Sequence, residues 1–186
     1  MAAESDNDLL ARIAAGDRLA LQTLYGRHQV KIYRFALRLL RDEPSAEDVV
    51  SEVFIDVWRG AARFAGRSEA STWLLAMARN KALSILRRRK EDELDEGAAA
   101  AIVDEADDPE AAAQKKNKGE LLRACLLRLS PEHREVIDLV YYHDKSIEEV
   151  ARIVGAPEGT VKTRMFHARK RLAELAKAAG VDRGWP

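Results

Sequence analysis

The segment from residue 91 to residue 119, EDELDEGAAAAIVDEADDPEAAAQKKNKG, divides the chain, because it contains too few large apolar residues to form a core. Only Leu94, Ile102 and Val103 are large and apolar, whereas ten residues are acidic. Folding must offset the loss of conformational entropy by burying apolar surface, and this composition cannot do so. We therefore predict a flexible acidic linker over residues 91–119, which leaves residues 1–90 and 120–186 as two separate domains.

Both flanking parts show helical periodicity. Apolar residues recur every three or four positions, and no stretch alternates convincingly as a half-buried strand would. Residues that favour helix starts precede several runs, among them Asp17, Ser130, Ser146 and a capping box formed by Ser45 and Asp48. The sequence predicts an all-α chain of two small helical domains. The helices are expected at residues 8–15, 18–41, 46–59, 71–90, 120–129, 131–142, 146–154 and 157–178.

The balanced charge of the chain hides an uneven distribution. Residues 1–90 contain 16 basic and 11 acidic side chains, residues 91–119 contain 3 and 10, and residues 120–186 contain 12 and 10. Two mildly basic blocks therefore flank an acidic one.

Several classes of protein are excluded by what the sequence lacks. The four histidines and the single cysteine show no metal-ligand spacing, and no nucleophile and base, phosphate loop or carboxylate pair has a catalytic spacing, so neither a metal nor a catalytic residue is assigned. Without a charged-then-apolar leader or an 18-residue apolar run, the chain is expected to be cytoplasmic and not inserted in a membrane. Cys125 is expected to be a buried structural thiol, with a redox role left open.

The stretch GTVKTRMFHARKRLAEL, residues 159–175, carries a narrow apolar seam and an unusual opposite face. At about 100° per residue, Val161, Met165, Ala168 and Leu172 point one way. A phenylalanine, a histidine and cations occupy the rest of the surface: Lys162, Thr163, Arg164, Phe166, His167, Arg169, Lys170 and Arg171. Such a face suits an anionic partner with apolar edges.

A short helix, a turn at Gly155 and a second helix opened by Pro157 precede and include this stretch, in SIEEVARIVGAPEGTVKTRMFHARKRL. This is the sequence form of a helix-turn-helix, a motif that reads duplex DNA. The alternative is an amphipathic surface helix whose basic face is merely hydrated. The turn, the short first helix and the exposed Phe166 would then coincide by chance.

The stretch STWLLAMARNKALSILRRRK, residues 71–90, has a comparable arrangement. One stripe is apolar and consists of Leu74, Leu75, Ala78, Ala82, Ile85 and Leu86. The reverse face holds Trp73, Met77, Asn80, Ser84, Arg87 and Arg88, with Lys81 at its edge. Flat or soft apolar groups, an amide and cations are what an unstacked base and its backbone require. Packing against another helix or the 63–71 loop is the alternative for Trp73 and Met77.

The stretch AEDVVSEVFIDVW, residues 46–58, buries Val49, Val50, Val53, Phe54 and Val57. Asp48, Glu52 and Asp56 follow one edge at four-residue spacing, with Ile55 beside them. Like charges at this spacing cost about 0.2–0.5 kcal/mol per pair. A basic protein partner, Arg59 or simple hydration would offset that cost, and all three remain open.

Together these stretches resemble the extracytoplasmic-function (ECF) sigma factors, the small specificity subunits of bacterial RNA polymerase. The first part, from LYGRHQVKIYRF through AEDVVSEVF and TWLLAMARNKAL to LSILRRR, is similar to domain two of that family. The second, from LLRLSPEHREVI to GTVKTRMFHARKRL, is similar to domain four. The order and spacing of these motifs make the resemblance specific.

The resemblance implies three sites. Asp48, Glu52 and Phe54, with Ile55 and Asp56, would bind core polymerase at the clamp helices of the β′ subunit. Phe64, Met77 and Asn80 match positions that pocket a flipped base of the minus-10 element, with Trp73, Lys81, Arg87 and Arg88 on the same face. Lys162, Thr163, Phe166 and His167 match positions that read the minus-35 element in the major groove, with Arg164, Arg169 and Lys170 as further DNA contacts.

The resemblance also implies partners. Core RNA polymerase, including its β subunit, promoter DNA and an anti-sigma factor are expected, with the acidic linker following polymerase channels that otherwise hold nucleic acid. The segment AGR at 65–67 and His167 differ from the common family pattern, so the preferred bases are not implied. The rival hypothesis is an autonomous helix-turn-helix regulator with an N-terminal sensing or dimerisation domain, which would bind palindromic duplex without polymerase.

Overall fold

The structure is a computed structural model that describes residues 4–64, 66, 68–95 and 118–180. Within these ranges the chain forms eight α-helices and one 3-10 turn, and no strand occurs, which confirms the all-α prediction. The helices are α1 (Asp6–Ala14), α2 (Arg18–Leu40), α3 (Glu43–Gly60), α4 (Ala70–Asp95), α5 (Lys118–Leu127), α6 (Pro131–Tyr141), α7 (Ile147–Val154) and α8 (Glu158–Ala178), with the 3-10 turn at Ala61–Arg63.

The predicted linker lies largely outside the described residues. Its first five residues, 91–95, continue α4, and Lys118 already belongs to α5. The predicted end of the fourth helix at residue 90 is therefore wrong, because the glutamates and Leu94 of EDELD favour a helix and no Gly or Pro interrupts it. Among the described helices, none combines the length and the apolar character needed to cross a bilayer.

Two of the predicted helix caps are confirmed, and one is wrong. The Asp17 carboxylate accepts hydrogen bonds from the backbone N–H groups of Leu19 and Ala20, and Ser130 accepts one from that of His133. The capping box at Ser45 is wrong: α3 begins at Glu43, and Asp42 caps it by accepting from the Ser45 N–H at 2.9 Å. Proline is well tolerated in the first turn of a helix, so Pro44 does not delay the start.

Helices α1 to α4 and α7 group in one compact unit. Its core is aliphatic with a single large aromatic ring fully buried, and comprises Leu9, Leu10, Ile13, Leu24, Ile32, Phe35, Val49, Val53, Val57 and Leu74. Thr72 at the start of α4 donates a hydrogen bond to the Glu149 carboxylate of α7 at 2.6 Å. Arg89, near the other end of α4, donates to Asp42 at 3.1 Å and to the Ser45 hydroxyl at 2.7 Å. Both ends of α4 are thus held by polar contacts.

The apolar stripe of α4 is shorter than predicted. Leu74, Leu75, Ala78 and Ala82 are buried, but Leu86 is 36% exposed. Beyond Ala82, Leu83 and Ile85 are only half-buried, and Arg89 adds polar contacts to Asp42 and Ser45.

Asp6 ties the first helix to the second. Arg27 Nη1 and His28 Nε2 each lie 2.6 Å from its carboxylate oxygens, and His28 is buried. Burial opposes ionisation of this carboxyl, but the hydrogen bonds from Arg27 and His28 outweigh it and hold the pKa of Asp6 below its usual value.

The other compact unit contains α5, α6 and α8. Val136, Ile137 and Leu139 of α6 are buried, as are Val161 and Leu172 of α8. Cys125 on α5 is also buried, as predicted for a structural thiol, and burial raises the pKa of that thiol against the opposing charge of Arg128. A neutral, buried thiol is a poor nucleophile.

We predict that Asp6→Asn lowers the free energy of unfolding at pH 7 by about 1 kcal/mol, because the pair is partly screened by water. Since the pKa of Asp6 is depressed in the folded state, its contribution is present above the unfolded pKa and is lost as pH falls through the folded pKa. The difference between wild type and variant should therefore shrink as pH falls below the pKa of an unperturbed aspartate, about 3.9. Urea unfolding followed by tryptophan fluorescence at a series of pH values measures it, since Trp58 and Trp73 lie in this unit. A difference that does not shrink as the pH is lowered would contradict the assignment.

We expect Cys125 to react with iodoacetamide much more slowly in the folded chain than in urea, because the thiol is buried and its pKa is raised. The rate of labelling against pH, followed by mass spectrometry, should rise at a higher pH than for a free cysteine, whose pKa is about 8.5. Labelling of the native chain at the free-cysteine rate would instead support the redox alternative.

Candidate nucleic-acid interface

Helix α8 presents the predicted two faces. Val161, Met165, Ala168 and Leu172 are buried, which confirms the apolar seam. Phe166 is 65% exposed, so its ring takes no part in that core. The cations and polar residues around it are exposed or, for Arg164, half-buried: Lys162, Thr163, Arg164, His167, Arg169 and Lys170. The side chains predicted to read DNA therefore share one accessible surface.

The turn before α8 contains the predicted glycine and proline. Gly155 has a φ of +66°, in the left-handed region where glycine is favoured, and Pro157 directly precedes the first helical residue. The hydroxyl of Thr163 donates to the Gly159 carbonyl at 3.0 Å, which leaves its oxygen as an acceptor and its methyl group for apolar contact. Both groups occur among the partners of base edges in a major groove.

Two residues of α6 contact the exposed face of α8, and the sequence analysis missed both. The ring of His133 lies 6.4 Å from that of His167, and the ring of Phe166 lies 5.4 Å from His167 on the same helix. The guanidinium of Arg169 lies over the ring of Tyr141, 5.7 Å from its centroid. A hint existed in the sequence, since the pair Tyr141 and Tyr142 ends an amphipathic helix on its polar side.

The second candidate surface is an open groove of about 390 Å³ between α3 and α4. Helix α4 contributes Met77, Asn80, Lys81, Ser84 and Arg88, and α3 contributes Glu52 and Asp56. Four of the seven residues predicted for the minus-10 site thus line one groove. Two residues predicted for polymerase binding line it as well, which the sequence did not indicate.

Phe64 and Trp73 form a separate contact. Their ring centroids lie 5.2 Å apart with the planes tilted by 47°, and both rings are half-buried. Neither these rings nor the exposed Arg87 belong to the described residues that line the groove. The loop contact that was the alternative for Trp73 is therefore present through Phe64, whereas Met77 faces the groove. Ala65 and Arg67 of the segment AGR lie outside the described residues.

Lys81 lies between the two carboxylates of α3. Its Nζ is 2.7 Å from Asp56 and 3.2 Å from Glu52. Burial of the lysine opposes its charge, but the hydrogen bonds to Asp56 and Glu52 prevail and raise the pKa of Lys81. From the sequence, a basic protein partner, Arg59 or hydration could offset the like charges along α3. The structure adds a fourth source, the ammonium group of Lys81 on α4.

The remaining residues predicted for polymerase binding divide between surface and core. Asp48 and Ile55 are exposed on α3. Phe54 is buried and packs edge-on against Tyr25 of α2, with ring centroids 4.8 Å apart. Tyr25 in turn lines a second open groove, of about 460 Å³, between α2 and α3. The sequence did not predict this groove, to which the exposed Val30 of α2 also contributes.

The fold and these surfaces define a class of all-helical DNA-binding proteins. Helix α8 follows a turn and has a basic, aromatic face suited to DNA. Helix α4 presents the amide of Asn80 and the thioether of Met77 on a second surface. Family models of Sigma-70 region 2 and Sigma-70, region 4 match residues 24–91 and 119–172.

Curated relatives agree with these family models. The chain is 35% identical over 171 residues to the ECF RNA polymerase sigma factor SigM of Mycobacterium tuberculosis, covering 92% of this chain and 84% of SigM. It is 33% identical over 172 residues to the ECF RNA polymerase sigma factor SigK of Mycobacterium bovis, covering 90% and 92%.

Solved structures show the same likeness. CnrH, in complex with the cytosolic domain of CnrY, superposes with a TM-score of 0.67 at 25% identity, over 94% of this chain and 99% of that one. The sigma factor RpoE of Bartonella quintana, in complex with the anti-sigma factor NepR, gives 0.65 at 30% identity, over 83% and 93%.

The chain therefore belongs to the ECF RNA polymerase sigma factors, and it directs RNA polymerase to promoters. Its two family regions fall on the two parts in which the sequence analysis found the DNA-facing helices. The autonomous regulator with a sensing domain is not favoured.

We predict that Tyr141→Leu weakens binding of the holoenzyme to every minus-35 sequence by a similar factor, roughly two- to fivefold, because an exposed cation–π contact contributes about 0.5–1 kcal/mol. The change keeps apolar area but releases Arg169, which we expect to contact a phosphate rather than a base. Fluorescence anisotropy with duplexes of preferred and scrambled minus-35 sequence measures both affinities. Tyr142→Leu is the matched control. A loss confined to the preferred sequence, or an equal loss in the control, would contradict the role of Tyr141.

Proposed function

We propose that the chain is a dissociable initiation subunit built from three parts: residues 1–90 bind core polymerase and the minus-10 element, residues 91–119 connect, and residues 120–186 read the minus-35 element. It acts by binding alone, in the cytoplasm where polymerase and chromosomal DNA meet. The proposed boundaries follow the family matches at 24–91 and 119–172, extended to include α1 and the C-terminal end of α8.

At the minus-35 element, α8 enters the major groove. Phe166 and the methyl group of Thr163 supply apolar contact for thymine methyl groups, and His167 supplies a ring nitrogen for a base edge. Lys162, Arg164, Arg169 and Lys170 lie where they can meet phosphates. The exposure of Phe166 among these cations supports this part of the proposal, since a solvated basic face gains nothing from an exposed aromatic ring.

At the minus-10 element, the groove between α3 and α4 receives an unstacked base of the non-template strand. Asn80 is exposed at its rim and offers both a donor and an acceptor, and Met77 offers a soft apolar surface. The rings of Phe64 and Trp73, one turn before Met77, extend this surface for a neighbouring base. Arg87 and Arg88 supply cations for the backbone. The single observation that carries this assignment is that Met77, Asn80 and Arg88 line one groove, on the side of α4 away from the buried seam of Leu74, Leu75, Ala78 and Ala82.

Core polymerase is proposed to meet α3. Asp48 and Ile55 are exposed there, and Glu52 and Asp56 expose about half of their side chains while paired with Lys81. The partner surfaces are the β′ clamp helices and, further along the chain, the β subunit. The ring of Phe54 is buried, so we do not expect it to contact the partner. It packs against Tyr25 and supports the surface indirectly.

An anti-sigma factor is a further proposed partner. CnrH was solved with the cytosolic domain of CnrY, and RpoE with the anti-sigma factor NepR. Both resemble this chain over most of its length, so a protein that sequesters it from polymerase is expected. The acidic linker is proposed to follow polymerase channels that otherwise hold nucleic acid, where its carboxylates mimic phosphate.

The test of this proposal is promoter opening by holoenzyme containing Asn80→Ala or Met77→Ala. Stacking and pocket contacts contribute about 1–3 kcal/mol per captured base. Loss of such a contact should therefore lower the open fraction on linear duplex by roughly five- to hundredfold. Permanganate reactivity of unpaired thymines measures it. A template with a mismatched minus-10 region should largely restore transcription, because the energy of unpairing is then already supplied.

Core affinity and minus-35 binding of the same variants serve as controls and should remain unchanged. If Asn80→Ala and Met77→Ala lose core affinity, these residues support packing rather than base capture. If the variants open linear duplex as wild type does, the groove does not hold a base.

A further inference from the structure

The α3 wall of the groove is acidic, which is unusual for a surface that meets DNA. Glu52 and Asp56 are one helical turn apart, and their side chains remain 54% and 47% exposed. Both line the groove beside Met77 and Asn80. An unpaired carboxylate there would repel the phosphates of any strand whose base enters.

Lys81 is the cation placed against this wall. Its side chain is only 20% exposed, so its stem is packed between the helices, and two of its three N–H donors are directed to carboxylates at 2.7 and 3.2 Å. The three side chains together carry a charge of −1, and the raised pKa of Lys81 keeps it protonated. A phosphate gains little by approaching Lys81, because the two neighbouring carboxylates carry more negative charge than the ammonium group carries positive charge.

Arg88 shows the contrasting arrangement at the same groove. It is exposed, one turn beyond Ser84, and its Nε donates to the Ser84 carbonyl at 3.5 Å. Its guanidinium charge therefore faces solvent, where a strand backbone can reach it. The two cations of the groove thus have different electrostatic surroundings.

We propose that Lys81 is a positioning residue that offsets one of the two negative charges on the acidic wall of the groove, so that an unstacked base can enter, and that it does not bind a phosphate. This inference rests on the proposed function of the groove and replaces the phosphate contact that the sequence indicated for Lys81. It also links the helix proposed to meet polymerase with the helix proposed to hold the base, through one ammonium group.

The experiment is a double-mutant cycle on promoter opening. Lys81→Met is combined with Glu52→Gln/Asp56→Asn, and permanganate reactivity on linear duplex is measured per bound holoenzyme, because the carboxylates also lie on the proposed polymerase surface. Arg88→Met in the same two backgrounds is the matched control. Thermal unfolding of each chain verifies that it is folded at the assay temperature, and Lys81→Arg tests rescue by a retained charge.

We expect Lys81→Met to lower promoter opening by roughly two- to fivefold in the native background, which is the range for partly exposed charge pairs. In the Glu52→Gln/Asp56→Asn background the same substitution should have no effect, because both carboxylates are then neutral. Lys81→Arg should open normally. Arg88→Met should cause the same loss in both backgrounds, since its contact does not depend on Glu52 or Asp56.

Loss by the same factor in both backgrounds would show a phosphate contact at Lys81 and would overturn the inference. No loss by Lys81→Met in the native background would overturn it as well, provided that Asn80→Ala is defective. If Asn80→Ala itself opens the duplex normally, the proposed function of the groove fails first, so the two failures are distinguishable.

Discussion

Helices α4 and α8 each bury a narrow seam of small and aliphatic side chains, and that burial sets the rotation of each helix about its axis. In α8 the seam runs from Val161 to Leu172, so Phe166 and the cations must face outward. In α4 the seam runs from Leu74 to Ala82, which turns Met77 and Asn80 away from the core. A slip of one residue would rotate either helix by about 100° and remove these side chains from their surfaces.

The cations of the two surfaces have different surroundings. Around α8 the cations are exposed, and one of them, Arg169, is oriented by an aromatic ring from α6. In the groove of the other unit, one lysine is shared by two carboxylates, which lowers the negative charge of the wall from −2 to −1. Duplex recognition depends on attraction to many phosphates, whereas base capture needs a site that does not repel a strand while offering hydrogen bonds and apolar contact.

Periodicity and caps predicted the all-α class, the helix faces and most helix bounds, because these depend on neighbours within one turn. The same rules failed at Ser45, where Asp42 supplied the cap three residues earlier, and at residues 91–95, where composition indicated a linker but α4 continues. Contacts between helices could not be predicted: the pairing of Lys81 with Glu52 and Asp56, and the support of Arg169 by Tyr141, depend on how α3 meets α4 and α6 meets α8. A single sequence contains periodicity, but it does not specify which edges of two helices face each other.

The energetics of base capture favour action within a complex. Unstacking a base costs a few kcal/mol, and one groove of this kind returns only about 1–3 kcal/mol. The groove of about 390 Å³ is open on one side and shares its acidic wall with the helix proposed to meet polymerase. A free chain would therefore gain little by extruding a base from duplex DNA. In the proposed complex, polymerase and the minus-35 contacts would already hold the duplex in position, so we expect the same small gain to shift the balance toward the open state.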